Sequence, residues 1–491
     1  MIYITILNGN ICELDGDRIA MTKLFKAFKV RHPNAWHIMM YNKKSNWDGY
    51  IKYISEAGRF KIGLLHKVYD EAKKLGQKVK IVDKRPPIPK PHIYKKLGDR
   101  TLYPRQVKAL KKLLFNKVGN LPFNVCAGDL AVGFGKSTLF ASIHKAYNNQ
   151  LRTILLLNDA DLFNQFKQEI PPMLPGVDIQ FIQGSKITHW GDFNVAMVQS
   201  ISRNLSRYQW ELSKIEICLI DEADVIDNRT YSKVIEHLYN SRIRIGLSGT
   251  LYMSKLKKDL MHNMNIMSFI GSKVDSVRLI DQIKSGKATN VIVKMIPSKI
   301  PDLGCLSYPE EYQKTITSNL SAYAESFSRT LLNAKYHRFP MLIVTKYIEH
   351  CEKLYEFYVK KCKTLGLKWN IAHVHHESKD RNQILNNFRN GKIDVLISTT
   401  IISRGKNFPT LRYLQNTASM DSNEKAIQIL GRLVRKSEGK TKAYLDDIMF
   451  NGHYLTRHAK HRKRYYQNEK LKVIMVKGPK ITKKRTRKRG V

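Results

Sequence analysis

The sequence predicts an α/β protein with two parallel-sheet domains in tandem, a small α+β domain before them and a basic tail after them. Two sets of short apolar runs predict the sheets, at 153–157, 194–198, 215–220 and 243–247, and then at 341–344, 370–374, 394–397 and 443–445. Near-continuous apolar runs, separated by helical stretches, are typical of parallel strands that helices cover on both faces. A glycine-rich stretch at 130–138 follows another apolar run, as expected of a strand–loop–helix unit in such a sheet.

The charge of the chain indicates a polyanionic partner. Its 491 residues include 85 Lys and Arg against 41 Asp and Glu, a formal net charge of +44. Nucleic acid is the commonest partner of so basic a protein, and the length allows about three domains. The sequence contains no apolar run that could span a bilayer and no signal-peptide pattern. We therefore expect no membrane partner and a cytoplasmic location, which is the host cytoplasm if the protein is viral.

The cysteines and histidines predict neither a disulfide nor a metal site. The six cysteines are scattered without a C-x-x-C pair, so reduced thiols are expected. His373, His375 and His376 cluster, but no cysteine or carboxylate partner is recognisable at metal-ligand spacing. We interpret this cluster as the end of a strand and the start of a loop.

Residues 1–84 are predicted to form an accessory domain that binds DNA. Residues 1–99 carry 20 Lys and Arg against 9 Asp and Glu. The Asp48-Gly49 pair predicts a tight turn in a β-hairpin, with Trp47 packed in a small core. The lysines and tyrosines around Trp47 also suit a nucleic-acid surface.

Four prolines within residues 86–91 mark a domain boundary. Because neither a helix nor a sheet accommodates such a run, a stiff linker is predicted. The expected order is a linker at 85–99, sheet domains at 100–295 and 296–455, and a basic extension at 456–491. The extension carries 15 Lys and Arg and one acidic residue. Basic residues interleaved with aromatic ones at 461–466 favour a nucleic-acid contact over a localisation signal or a solubilising end.

The glycine-rich stretch predicts a phosphate-binding loop. Gly133 and Gly135 allow a tight turn whose backbone N–H groups point at phosphate oxygens, and the following helix adds the positive end of its dipole. In this interpretation Lys136 reaches the β- and γ-phosphates of ATP, and the Ser137 hydroxyl ligates Mg²⁺. The strict pattern G-x-x-x-x-G-K-[ST] fails at its first position, Leu130. A glycine-rich turn with an incidental lysine is therefore the alternative.

Two carboxylates follow the predicted strand at 215–220. Because ligands bind at the carboxyl ends of parallel strands, Asp221 is expected to hold Mg²⁺. Glu222 is expected to position and deprotonate the attacking water. The alternative is an acidic loop that opens a helix, which the spacing of ~85 residues from the phosphate loop disfavours.

The ordered set of motifs resembles the superfamily 2 helicases. Its members are Gln106, the loop at 133–137, the Asp-Glu-Ala-Asp tetrad at 221–224, the Ser-Gly-Thr triplet at 248–250 and the Gln-Ile-Leu-Gly-Arg-Leu-Val-Arg segment at 428–435. The resemblance covers both sheet domains and implies that each is RecA-like.

The resemblance also implies roles for single residues. Gln106 lies where the family recognises adenine, and Ser248 and Thr250 match the motif that couples hydrolysis to domain movement. Arg432 and Arg435 match the arginines that reach across the interdomain cleft to the triphosphate, although one exposed helix face is the alternative for them. The implied catalytic residues are Lys136, Asp221, Glu222, Arg432 and Arg435; the implied ATP-binding residues are Gln106, Gly133, Gly135, Lys136, Ser137, Thr138 and Gly405; and the implied Mg²⁺ ligands are Ser137 and Asp221.

Within the superfamily, the closest likeness is to the bacteriophage UvsW-type DNA helicases. It is carried by residues 46–52, 63–68, 246–250 and 428–435. It implies an ATP- and Mg²⁺-dependent helicase or translocase that unwinds or branch-migrates double-stranded and branched DNA in recombination, replication and repair. Three alternatives stay open: a helicase for RNA or RNA–DNA hybrids, the translocating subunit of a restriction system, and a non-catalytic nucleic-acid-binding scaffold.

Overall fold

The computed structural model describes residues 1–41, 47–184, 189–251, 259–400, 408–421 and 430–476. The chain divides into two compact units, Met1–Val277 and Arg278–Val491, which we call the first and second unit. Within the described residues, each unit contains one seven-stranded sheet whose strand pairs are all parallel. The predicted α/β class with two tandem parallel sheets is therefore confirmed. Among the described residues, no helix is both long and apolar enough to cross a membrane.

The first unit begins with a small α+β region. Its elements are β1 (Ile2–Ile6), β2 (Ile11–Gly16), α1 (Arg18–Ala27), β3 (Lys29–Arg31), α2 (Ala35–Tyr41), β4 (Tyr50–Lys52), β5 (Arg59–Lys61), α3 (Leu65–Lys74) and β6 (Val79–Asp83). Four of these strands form a sheet in the order β5-β2-β1-β6. Ile2, Ile4 and Ile6 are fully buried, as the alternation of side chains along a strand requires when one face is covered.

The predicted β-hairpin with a tight turn at Asp48-Gly49 is wrong, because this turn does not connect two paired strands. Strand β4 pairs antiparallel with β3, but helix α2 lies between them in the chain, so no tight turn joins the two strands. Gly49 has φ +80° and leads into β4. Trp47 is half-buried, and its indole N–H donates to the Tyr50 carbonyl at 2.8 Å. The neighbouring residues 42–46 lie outside the described part of the chain.

The N-terminal region and the first sheet share one packed interface. The fully buried Arg244 donates to the Gly9 carbonyl at 2.8 Å and to Oδ1 of Asn10 at 2.7 Å. The Tyr53 hydroxyl donates to Oδ1 of Asn265 at 2.6 Å. One hydrophobic core includes β1 side chains together with Val125 of the first sheet. The predicted accessory domain is thus part of the first compact unit. The expected linker is packed too, because its Ile88 and Ile93 contact the core of the sheet.

The rest of the first unit alternates strands and helices. Its elements are β7 (Lys96–Leu97), β8 (Arg100–Thr101), α4 (Pro104–Leu114), β9 (Lys117–Val118), β10 (Leu121–Pro122), β11 (Val125–Leu130), α5 (Lys136–Lys145), β12 (Thr153–Leu157), α6 (Ala160–Glu169), β13 (Ile179–Ile182), β14 (Phe193–Met197), α7 (Val198–Arg203), α8 (Leu205–Ser213), β15 (Ile217–Asp221), α9 (Arg229–Ile235), β16 (Ile243–Ser248), α10 (Leu260–Ile270) and β17 (Lys273–Val277). The sheet order is β13-β14-β12-β15-β16-β11-β17. Along β12, Leu155 and Leu157 enter the core on one face, and Ile154 and Leu156 enter the core on the other. This double burial explains the continuous apolar runs of the sequence.

The second unit repeats this architecture. Its elements are α11 (Leu279–Lys284), β18 (Asn290–Pro297), α12 (Tyr308–Tyr312), α13 (Leu320–Ala334), β19 (Met341–Thr345), α14 (Ile348–Thr364), β20 (Ile371–Val374), α15 (Arg381–Arg389), β21 (Val395–Thr399), β22 (Tyr413–Asn416), β23 (Lys442–Met449), α16 (His453–Asn468) and β24 (Lys472–Met475). The sheet order is β20-β21-β19-β22-β23-β18-β24.

Two segments of the second unit differ from the sequence expectation. The expected boundary at 295/296 lies inside β18, which pairs with β23 and therefore belongs to the second sheet. The expected basic extension at 456–491 begins inside α16, and β24 adds a strand to the sheet. Residues 456–476 are thus part of the folded unit. The remaining residues, 477–491, lie outside the described part of the chain.

Candidate active site

The predicted phosphate-binding loop lies between β11 and α5. Gly133 and Gly135 have φ +85° and +87°, in the left-handed region that side chains with a Cβ rarely adopt. A Cβ on Gly135 would also lie 2.5 Å from Nε2 of Gln106. Leu130, where the strict motif has glycine, is the last residue of β11 and is fully buried in the core. The turn at 133–135 is therefore present although position 130 is not a glycine.

Lys136 contacts the two carboxylates that follow β15. Its Nζ lies 3.0 Å from Oδ1 of Asp221 and 3.1 Å from Oε1 of Glu222. Asp221 ends β15, and Glu222 takes a left-handed conformation with φ +47°, which turns the chain sharply at the carboxyl edge of the sheet. Strands β11 and β15 are separated by β16 alone. The sheet thus brings Lys136 next to Asp221 and Glu222, which follow it in the chain by 85 and 86 positions.

The electrostatics of this cluster favour a charged lysine. Burial by itself lowers the pKa of Lys136, but the charges of Asp221 and Glu222 outweigh burial, and the pKa is raised. Burial raises the pKa of Asp221, and Lys136 opposes that change. Lys136 is therefore an ammonium group held between two carboxylates, which is the charge needed to bind a phosphate.

The oxygen atoms of the cluster fit a hard divalent cation. Oδ1 of Asp221 is buried, and its contact there is the Lys136 ammonium 3.0 Å away. Ser137 lies in the first turn of α5, next to Lys136. A carboxylate and a hydroxyl are the ligands that Mg²⁺ takes beside nucleotide phosphates. Thr138 follows Ser137 and is buried.

A third strand end adds a hydrogen-bond network. Ser248 ends β16, and its hydroxyl donates to Oδ1 of the buried Asp224 at 2.6 Å. Oγ1 of Thr250 lies 3.1 Å from Oγ of Ser248, and Oε2 of Glu222 lies 3.4 Å away. The Ser-Gly-Thr triplet is therefore linked through Ser248 to the same acidic turn that contacts Lys136.

Gln106 connects helix α4 to the phosphate-binding loop. It is buried, and its Nε2 donates to the Phe134 carbonyl at 2.8 Å, between the two left-handed glycines. Its Oε1 accepts from the backbone N–H of Tyr103 at 2.9 Å. Both ends of the amide are thus engaged within the first unit. The sequence indicated Gln106 only through its motif, and no pattern predicted its bond to the loop.

Arg432 and Arg435 lie in the second unit. Arg432 is buried, so the alternative that it lies on an exposed helix face is wrong. The carbonyl of Arg435 accepts from the Thr289 hydroxyl at 3.1 Å and from Nζ of Lys440 at 2.8 Å. Lys440 also donates to the Leu433 carbonyl at 2.7 Å, and burial lowers its pKa to about 7. Lys440 was missed by sequence reasoning because no motif includes it. Gly405 and Gln428 lie outside the described residues.

Two family models match the chain in tandem. The model described as "Type III restriction enzyme, res subunit" matches residues 99–253, and the model described as "Helicase conserved C-terminal domain" matches residues 324–437. Together they cover more than half of the chain and fall one on each sheet. The chain belongs to the superfamily 2 helicases.

Similar proteins include helicases of other sources. "Putative helicase 22" of Sulfolobus islandicus filamentous virus is 23% identical over 344 residues, which are 67% of this chain and 60% of that protein. The fragment structure of a putative HsdR subunit of a type I restriction enzyme from Vibrio vulnificus has a TM-score of 0.55 at 16% identity, over 76% of this chain and 67% of that one. The crystal structure of T4 UvsW aligns over 96% of this chain and 98% of that one, with a TM-score of 0.45 at 16% identity. The helicase described here spans about half the length of the curated relatives it matches.

Proposed function

We propose that this helicase is an ATP-driven motor that unwinds or branch-migrates double-stranded and branched DNA. The observation that carries the proposal is the contact of Lys136 with Asp221 and Glu222 at the carboxyl edge of the first sheet. This constellation is suited to phosphoryl transfer, and the net charge of +44 suits a nucleic-acid substrate.

Each residue of the cluster has a distinct role in the proposed reaction. Lys136 leaves its carboxylate partners and binds the β- and γ-phosphates. Ser137 and Asp221 would hold Mg²⁺, and the bound ion would supply positive charge beside the phosphate oxygens. Glu222 orients the attacking water and accepts its proton. The backbone N–H groups of the loop at 133–138 bind the remaining phosphate oxygens, and Gln106 contributes to ATP binding through that loop, because both ends of its amide are engaged by Tyr103 and Phe134.

Hydrolysis is coupled to movement by residues of both units. Arg432 and Arg435 supply positive charge to the transition state, where the γ-phosphate oxygens gain negative charge. Ser248 and Thr250 transmit structural changes at the Asp-Glu-Ala-Asp tetrad, residues 221–224, because Ser248 is hydrogen-bonded to Asp224. In this proposal the positive charge of the two arginines is required for hydrolysis, and the coupling of hydrolysis to movement is what the family resemblance implies.

The proposed DNA specificity rests on the sequence likeness to the UvsW-type helicases and on the excess of basic residues. Two alternative functions are favoured by specific observations. The Asp-Glu-Ala-Asp tetrad at 221–224 and relatives named as RNA helicases favour RNA or an RNA–DNA hybrid. The match to the res-subunit model favours the translocating subunit of a restriction system.

One assay separates these possibilities. ATP hydrolysis is measured at fixed salt with no nucleic acid, single-stranded DNA, duplex DNA, a four-way DNA junction, an RNA–DNA hybrid and single-stranded RNA. Greatest stimulation by the junction, together with strand displacement, supports the proposal. Greatest stimulation by RNA or the hybrid overturns it in favour of an RNA helicase. Stimulation by duplex DNA without strand separation overturns it in favour of a translocating subunit.

The Lys136→Ala variant is the control for the motor itself. If the wild-type protein hydrolyses ATP no faster than Lys136→Ala with any nucleic acid, the protein is a binding scaffold and the proposal fails. Binding of the same nucleic acids by both proteins shows that the variant is folded.

A DNA contact of the N-terminal region is a further part of the proposal. Lys23, Lys26 and Lys52 are exposed there. Replacing all three by glutamine is expected to weaken DNA binding and to reduce the salt dependence of log K by about one unit per lost phosphate contact. Lys360, Lys361 and Lys363, exposed on α14 of the second unit, provide a matched triple control. Point variants are preferred to deletion of the region, because deletion would expose the core that it shares with the first sheet.

A further inference from the structure

Three potential metal ligands meet at the edge of the second sheet. The carboxylate of Glu352 and the imidazoles of His373 and His375 each offer one ligand atom, and these atoms lie within 4.8 Å of one another. Nε2 of His375 lies 3.3 Å from Oε1 of Glu352. We propose that these three residues form a binding site for a divalent transition-metal ion, distinct from the proposed Mg²⁺ site of the first unit.

The fold places the three side chains together through two neighbouring elements. His373 belongs to β20, and His375 follows that strand two positions later, so both histidines extend from the same face of the chain. Glu352 lies on α14, which packs against β20. The two imidazole rings lie 5.8 Å apart with an interplanar angle of 29°. Two ligands from one strand end and a third from the adjacent helix are a common way to build a metal site.

The environment of the histidines suits ligation. Nδ1 of His375 is buried and has no hydrogen-bond partner within the described residues, an arrangement that is costly unless another ligand satisfies the ring. The Tyr355 ring lies 4.3 Å from the His373 ring and covers it. His375 is thus a buried histidine with an unused nitrogen, and it lies beside a second imidazole and a carboxylate. Together these groups supply three donors to which a metal ion could bind.

The ligand types select the class of ion. Two imidazole nitrogens and one carboxylate oxygen suit Zn²⁺, Co²⁺ or Ni²⁺, whereas Mg²⁺ prefers a set made of oxygen atoms. Glu352 is partly exposed, so water can supply the fourth ligand. The bound ion would cross-link β20, the edge strand of the sheet, to the helix that packs against it. Within the described residues β20 pairs with β21 on one side only, so this cross-link would stabilise an edge strand of the second sheet.

The proposal does not depend on the proposed function. No step of ATP hydrolysis uses Glu352, His373 or His375, and the site lies within the second unit. Failure of the helicase assay would therefore leave the metal site untouched, and the reverse holds as well. A simple ion pair between Glu352 and a protonated His375 is the competing explanation of their contact.

Titration with Co²⁺ tests the proposal directly. The full-length protein is treated with a chelator, freed of nucleotide and titrated with Co²⁺ while the visible ligand-field absorption is recorded. One saturable Co²⁺ ion per chain, displaced by Zn²⁺, is expected. Glu352→Gln and His375→Asn should each weaken Co²⁺ binding by more than about tenfold, since even indirect supports of a metal ion are worth that much.

His376→Asn is the matched control. His376 directly follows His375, but its side chain is 65% exposed and lies outside the three-residue cluster. This variant should bind Co²⁺ as the wild-type protein does. Equal loss in His376→Asn and His375→Asn would assign the binding to surface histidines and overturn the proposal, as would the absence of saturable binding in the wild-type protein. Because Glu352 is an exposed helix residue, Glu352→Gln provides the decisive comparison if His375→Asn does not fold.

Discussion

Nζ of Lys136 lies 3.1 Å from Oε1 of Glu222, so the lysine of the phosphate-binding loop is paired with the proposed catalytic base. Asp221 completes the arrangement at 3.0 Å from the same nitrogen. In the proposed reaction, a nucleotide that binds to Lys136 would have to compete with two carboxylates, and its binding would release Glu222 for the water molecule. The ion pair links the arrival of phosphate to the freeing of the base.

The first prediction concerns Glu222. Glu222→Gln keeps the shape of the side chain but removes the proton acceptor, so kcat for ATP hydrolysis should fall by about 10²–10⁴-fold while ATP still binds. ATP binding is expected to tighten slightly, because one carboxylate no longer competes for Lys136. Steady-state kinetics and titration with a fluorescent nucleotide measure the two effects. Glu236→Gln, an exposed position in the same unit, is the control, and an unchanged kcat in Glu222→Gln would refute the assigned role.

The second prediction concerns the bond from Gln106 to the loop. Gln106→Glu can still accept from the Tyr103 N–H but cannot donate to the Phe134 carbonyl as a carboxylate. Losing this buried bond should raise KM for ATP by roughly tenfold, the equivalent of about 1–1.5 kcal/mol. Gln106→Ala removes both bonds and should raise KM further. Equal KM values for Gln106→Glu and the wild-type protein would show that the loop does not need this bond.

The third prediction concerns the buried pair of Arg462 and Asp447 in the second unit. Nη2 and Nε of Arg462 donate to the two carboxylate oxygens at 2.7 and 2.9 Å, and both side chains are buried. Arg462→Met leaves the buried Asp447 carboxylate without its ion-pair partner, with only the hydrogen bonds from Asn416 and Tyr466 among those described, and should lower the free energy of unfolding by about 3–5 kcal/mol. Urea denaturation measures this change. Arg464→Met, at an exposed position of the same helix, should change the stability by less than about 0.5 kcal/mol.

The fourth prediction concerns the stability of the first unit in acid. Burial lowers the pKa of His144 from 6.5 to about 4, and its Nδ1 lies 2.8 Å from the Thr153 hydroxyl. Between these pKa values the unfolded chain binds the proton and the folded chain does not. The free energy of unfolding should therefore fall as the pH decreases from 6.5 to 4, by at most about 1.4 kcal/mol per pH unit.

The His144→Gln variant isolates this dependence. Urea denaturation at several pH values across the window should show a smaller loss of stability in acid for His144→Gln than for the wild-type protein. His37→Gln, at an exposed position of the same unit, should retain the wild-type dependence. Parallel curves for His144→Gln and the wild-type protein would contradict the lowered pKa.

Sequence predictions were correct where neighbouring residues set the structure, and they failed where residues distant in the chain set it. The run at 153–157 coincides with β12, because consecutive apolar residues, here Ile154 to Leu157, are typical of a strand covered on both faces. The turn at Gly133 and Gly135 was predicted for a similar reason, since the residue type itself permits the left-handed backbone. The Asp48-Gly49 pair failed as a hairpin signal, because helix α2 lies in the chain between β4 and its partner β3, so that turn does not join the paired strands.

Basic residues near the C-terminus illustrate the same limit. The interleaved basic and aromatic residues at 461–466 suggested a nucleic-acid surface. On α16, however, Arg462, Tyr465 and Tyr466 face inward, and Arg462 and Tyr466 bond to Asp447. A helix turns its residues through every direction within four positions, so composition alone does not distinguish a binding face from a buried one.

The sequence by itself determined the class of the fold, the two tandem sheets and the motif residues, because apolar periodicity and backbone freedom act over a few neighbouring positions. Only the tertiary structure decided that Lys136 meets Glu222, that β18 joins the second sheet and that Glu352 lies beside His373 and His375. Each of these contacts joins residues that are far apart in the chain. They form because parallel strands and their covering helices bring distant segments to one sheet edge, a result of packing that no local pattern records.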